Sequence, residues 1–233
     1  MLKLMKLEIK KFKLWNYWKA ISICNISFIA FLSMIYFIEI DEQSTDIFAS
    51  FDVVAGLIGA IVRTTFTIFA SVLIVSLIID EYKKKSMEVM FSYPIKRKRI
   101  ISAKLIIVFA FTFVNVLFST LFLEGLVYSA DVIYNILPVG DVVIQDILRN
   151  VLVAIMDSIA TAGISLIPLF VGMHRNSAPA TIVTSIFISM FLNSTSGNFT
   201  VYSIIAIPIS LGLLGLFIAY FSIRNIEKKD LVS

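Results

Sequence analysis

An apolar run of about 20 residues is long enough to cross the hydrocarbon core of a bilayer as a helix. This chain offers six such candidates, at about 18–38, 53–79, 100–130, 147–173, 178–192 and 201–223. A soluble globule of 233 residues with 59% hydrophobic and only 15% charged residues would have nowhere to put its apolar surface except in aggregates. The expected fold is therefore an all-α integral membrane protein forming one domain over 1–233. The 20 Phe residues suit a lipid-facing surface, and they are not interleaved with basic residues as on a nucleic-acid-binding face. No nucleic-acid partner is expected. The 178–192 run is short, so it tilts little or takes in part of the loop after it. Pro168 and Pro208 fall inside spans, where neighbouring helices re-satisfy the carbonyls that a kink frees. The first run ends in Tyr36-Phe37-Ile38-Glu39-Ile40-Asp41, with no small-residue cleavage site, so it is expected to be retained as a span.

The segments between the runs sort by charge. Lys3, Lys6, Lys10, Lys11, Lys13 and Lys19 precede or open the first run. Lys83, Lys84, Lys85, Lys96, Arg97, Lys98, Arg99 and Lys104 lie between or beside the second and third. Arg175 follows the fourth, and Arg224, Lys228 and Lys229 follow the sixth. Eighteen of the 20 basic residues thus fall on alternate connections, on one side. The other connections carry Asp41, Glu42, Asp46, Asp52, Asp131, Asp141 and Asp146, and no lysine. Under the positive-inside rule both termini are cytoplasmic.

Residues 1–17 form a feature of their own. Lys3, Lys6, Lys10 and Lys13 share one arc of a helix, and Met5, Phe12 and Trp15 face largely away from it. That pattern predicts an interfacial helix on the anionic inner leaflet. A solvated basic lead into the first span is the alternative.

Catalytic patterns are missing. There is no G-x-x-x-x-G-K-[ST] loop for nucleotide phosphates, no G-x-S-x-G and no H-E-x-x-H. Cys24 is the lone cysteine and is expected as apolar filler. His174, the lone histidine, stands beside Arg175 without an evident nucleophile and is expected at the membrane interface. No catalytic, cofactor-binding or metal-binding residue is expected in this chain. The sequons at Asn193 and Asn198 are three-residue patterns that recur by chance.

Two charges are placed deep in the spans. Arg63 and Asp157 each lie about ten residues in from the same side, roughly 15 Å deep. A charge there costs upward of ~2.5 kcal/mol against lipid, so each requires a partner or a watery cavity. Opposite signs at one depth predict an intramembrane pair. Glu124, shallower in the third span, is an alternative partner for Arg63, and either charge lining a cavity alone is another reading.

The connection at 81–99 is longer than a return of the chain requires. Two basic clusters flank Met87, Val89, Met90 and Phe91, and Pro94 bounds the segment. A Met-bearing apolar knuckle suits docking to a cytoplasmic protein. A helix on the inner leaflet with snorkelling lysines fits the residue types equally.

From Glu81 to Lys104 the segment resembles, without a gap, the signature of type-2 ABC exporter permeases, E-x-x-K-G-T-x-E-x-L-L-x-x-P-[VI]-x-R-x-x-[IV]-[IV]-x-[GA]-K. Glu81, Lys84, Ser86, Glu88, Met90, Phe91, Pro94, Ile95, Arg97, Ile100, Ile101, Ala103 and Lys104 occupy its positions, while Lys85 stands where the family usually has Gly. In that family the segment joins the second and third of six spans and carries the coupling helix, and an elbow helix precedes the first span. The resemblance implies that Glu81, Ser86, Met87, Glu88, Met90, Phe91, Pro94 and Arg97 couple this chain to an ATPase. It implies two separate ATP-binding subunits, which hold ATP and Mg, and a second permease chain in a homo- or heterodimer. The shape is similar to small bacterial permeases of the plasma membrane that export antimicrobial or toxin peptides, lantibiotics or drugs. With few intramembrane charges, the expected substrate is amphipathic or hydrophobic. A non-transporting sensor, or an immunity or assembly factor, is the rival reading; a membrane enzyme lacks a nucleophile–base pair.

Overall fold

The computed structural model describes residues 8, 17–42, 48, 50–80, 97–134, 144–175, 177–196, 199–200 and 206–229. The helices are α1 (Tyr17–Glu42), α2 (Phe51–Ile74), α3 (Arg97–Tyr134), α4 (Ile144–Ile164), α5 (Pro168–Arg175), α6 (Ala178–Leu192) and α7 (Ala206–Lys229). A π-helical turn, Val75–Ile79, extends α2. Between α6 and α7, β1 (Thr195–Ser196) pairs antiparallel with β2 (Phe199–Thr200).

Four described segments are long and apolar enough to cross a membrane: Tyr17–Glu39, Phe51–Ile79, Ile100–Tyr134 and Leu148–Arg175. Ala178–Leu192 and Ile207–Ser222 are apolar but shorter. The expected run at 147–173 is not one unbroken helix. Pro168 has no N–H for Ile164, and its ring crowds that carbonyl, so the regular ladder stops at Ile164. Leu166 N–H turns back to Gly163 O at 3.1 Å and Ile167 N–H to Ile164 O at 3.0 Å, a tighter winding that ends where Pro168 opens α5. Pro208 disturbs nothing, because it occupies the first turn of α7, where no intrahelical donor is needed. The expected elbow at 1–17 lies outside the described residues except for Glu8 and Tyr17.

The helix α2 is the spine. Val54, Ile58, Val62, Phe66, Ala70, Leu73 and Ile74 repeat at three- and four-residue spacing and are all buried. Its first half packs with Ile21, Phe28 and Leu32 of α1 and with Val116 and Leu123 of α3. Its second half and the π-turn pack with Ile101, Leu105 and Val108 of α3 and Leu166 and Leu169 near the break. Phe69 joins the two regions: it stacks on Phe111 with centroids 6.0 Å apart and takes the edge of Tyr17 at 5.6 Å. Cys24 packs partly buried in the first region, as filler would.

Away from these contacts the helices stay apolar. Ile23, Ile26, Met34 and Phe37 of α1, and Leu213, Phe217 and Tyr220 of α7, are exposed. Exposed apolar faces of this extent suit lipid as their neighbour. The helices α4 and α7 cross closely. A Cβ on Gly163 would stand 2.5 Å from Gly212 O, and one on Gly215 would collide with Gly163 O. Only glycine lets these backbones approach so closely, as small residues do wherever spans associate by packing.

A candidate intramembrane polar centre

Arg63 and Asp157 meet across the bundle. Arg63 Nη1 donates to Asp157 Oδ2 at 3.0 Å, linking the middle of α2 to α4. Their side chains are 13% and 26% exposed, so the contact is largely removed from surrounding solvent or lipid. Local sequence makes room for it. Gly59 lies one turn before Arg63, and a Cβ there would stand 2.7 Å from Arg63 Nη1. The guanidinium therefore folds back along its own helix toward α4 instead of pointing outward.

Small hydroxyl and amide groups continue the polar path toward α6. Arg63, Thr64, Thr67, Thr161, Ser189 and Asn193, with Ile164 and Leu192, line a narrow cleft. Asn193 Nδ2 donates to Thr64 Oγ1 at 2.9 Å, and one more pair, Ser185 to Ser71 at 3.0 Å, ties α6 to α2 lower down. Such cross-helix bonds hold a span in register where apolar contact with a neighbour is no better than contact with lipid. The sequence by itself assigns Gly59 no role and marks Asn193 only as part of a sequon. Gly59 is signalled by its position four residues before a deep arginine. Asn193 is not signalled, because its partner lies far away in sequence.

Glu124 does not take Arg63. It lies on α3 within electrostatic reach of Asp157 and lines a second cavity, described below.

A further buried contact occupies the other end of α2. Lys104, grouped above with the basic residues of a connection, is fully buried within α3. Its Nζ donates to Leu77 O at 2.7 Å in the π-turn and stands 3.9 Å from Glu8 Oε2. A π-turn widens the helix and leaves carbonyls poorly placed for the regular ladder, so an ammonium group there satisfies one of them. The misplacement was legible: Lys104 already lies within an apolar run opened by Ile100 and Ile101. His174 lies in the last turn of α5 and stacks on Phe170 one turn earlier, with centroids 6.3 Å apart. Among the described residues no group of three His, Cys, Asp or Glu could hold a metal ion.

Glu81, Ser86, Met87, Glu88, Met90, Phe91 and Pro94 lie outside the described residues. Arg97 opens α3, but its side chain is outside them too.

The chain was compared with known proteins. The sequence profile of the ABC-2 family transporter protein matches residues 4–193. "Uncharacterized protein YcbO" of Bacillus subtilis strain 168 is 37% identical over 227 residues, spanning 97% of this chain and 99% of that protein. No solved structure matched. The profile takes in the connection at 81–99 together with all of α1 to α6, and on that extent of agreement the chain belongs to the ABC-2 family of transporter proteins.

Proposed function

We propose that this chain is the permease of an ABC exporter that moves an amphipathic or hydrophobic substrate outward, such as an antimicrobial or toxin peptide, a lantibiotic or a drug. The coarser part follows from the family: the chain is a multi-pass membrane protein and the membrane subunit of an ABC transporter. Subunits of this kind do not hydrolyse ATP; that activity lies in a separate ATP-binding subunit with which they associate. The carrying observation is that the range matched by the family includes 81–99, where the sequence also follows the exporter signature.

In the proposed assembly two permease chains pair and engage two ATP-binding subunits, which hold ATP and Mg, in a bacterial plasma membrane. Six crossings leave both termini cytoplasmic, with 1–17 as an elbow on the inner leaflet. Glu81, Ser86, Met87, Glu88, Met90, Phe91, Pro94 and Arg97 form the surface through which ATPase motion reaches α2 and α3. The Arg63–Asp157 pair then ties α2 to α4, so a push on the cytoplasmic end of α2 is shared with α4.

Co-purification tests this. The tagged chain should bring an ATP-binding subunit with it, and a candidate peptide should stimulate the ATPase. A Met90→Asp, Phe91→Asp double variant should insert normally yet lose the subunit, because charge at an apolar anchor costs roughly 1–3 kcal/mol. Normal association and transport by that variant would remove 81–99 from the coupling role.

A further inference from the structure

A cavity of about 200 Å³ opens between the Phe51 end of α2, the Tyr134 half of α3 and the start of α4. Phe51, Leu121 and Val151 give it apolar walls, and Glu124, Tyr128 and Asn150 give it polar ones. Two of the polar groups are unmatched. Glu124 forms no ion pair or hydrogen bond with any described residue, and its charged neighbour Asp157 has the same sign. Arg63 is engaged by Asp157 instead, and Arg149 is exposed. Asn150 Nδ2 is fully buried with no hydrogen-bond acceptor.

A carboxylate and a spare amide donor in an apolar chamber ask for a ligand with complementary groups. A carboxylate within a membrane span calls for a cation, and a buried donor without an acceptor costs about 1–3 kcal/mol. The space is sufficient, since an apolar cavity of about 150 Å³ holds a benzene molecule. We infer that this cavity binds a primary ammonium group carried on an apolar body with a carbonyl beside it, the chemistry of a peptide amino terminus. Glu124 takes the ammonium, Asn150 donates to the carbonyl, and Phe51, Leu121 and Val151 cover the apolar part. The assignment rests on the permease reading in one respect only, that the ligand is cargo.

Three small probes separate these contributions in the full chain reconstituted alone in lipid nanodiscs. Leucinamide carries ammonium, carbonyl and apolar body; 4-methylpentanamide lacks the ammonium; isopentylamine lacks the carbonyl. Ligand-observed NMR should show saturable leucinamide binding above that of empty discs. Binding of 4-methylpentanamide should be weaker by about ten-fold or more, the size of one charge-assisted hydrogen bond. Glu124→Gln should weaken both amines by a similar factor and Glu124→Asp should restore much of it. Asn150→Ala should weaken leucinamide and leave isopentylamine unchanged. Equal binding of leucinamide and 4-methylpentanamide to the wild-type chain, or no binding above empty discs, overturns the assignment without need of any variant. Neither result touches the association with an ATP-binding subunit, and absence of that subunit would leave the NMR result standing.

Discussion

Arg63 and Asp157 show how the membrane turns a costly residue into a structural one. Each alone would be stranded in a low-dielectric interior, so removing one partner is worse than removing both. Arg63→Leu or Asp157→Leu should lower stability by on the order of 3 kcal/mol, and the double replacement should recover part of that loss. Thermal unfolding in detergent of the four proteins of the cycle measures the coupling; additive losses would show that the 3.0 Å contact contributes nothing. Lys104 makes a parallel case at the other end of α2. Lys104→Met keeps much of the side-chain length but takes the donor from Leu77 O and the cation from Glu8, which should cost about 1–3 kcal/mol. Lys104→Arg retains the charge and should be milder. Equal stability of the Met variant and wild type would mean the π-turn needs no such donor.

Among the elements, the α4–α7 crossing and the break at Pro168 depend on particular small or ring-bearing residues. A side chain at Gly215 has no open direction on that face, because its first carbon meets the Gly163 carbonyl. Gly215→Val should therefore separate α4 from α7 at a cost of roughly 3 kcal/mol, the upper range for overpacking. Gly125→Val is the control, since a Cβ there meets nothing within 4 Å. Comparable yields of monodisperse protein for the two variants would contradict the close crossing. The glycines themselves were legible in the sequence. Which helix each one faced was not, because that choice depends on packing partners hundreds of atoms away along the chain.

For the whole molecule, the proposed six-span topology has a direct test. Cysteines placed singly at Ser44, Asn135 and Gly197, with Cys24 replaced by Ala, should react with an impermeant thiol reagent in intact cells. One at Lys98 should react only after permeabilisation. Labelling at Lys98 from outside would reverse the orientation drawn from the lysine distribution. The fourth run is the segment where the count is most instructive, since α4 and α5 together reach the length of a span although Pro168 divides them.

Composition and the order of apolar runs determined that this chain lives in a membrane and roughly where its helices lie. That information is local: a helix satisfies its own backbone, and lipid rewards apolar side chains on any face. The same local chemistry marked Arg63 and Asp157 as needing a partner, whereas the stretch from Glu81 to Lys104 pointed to a family only through its resemblance to the exporter signature. Tertiary structure alone decided that Arg63 meets Asp157 and not Glu124, that Lys104 is buried against the π-turn, and that Glu124 faces a cavity with Asn150. Because lipid accepts an apolar surface facing any direction, hydrophobic pattern barely specifies how one span rotates against the next. That rotation is set by close glycine contacts and a few polar bonds between residues far apart in sequence.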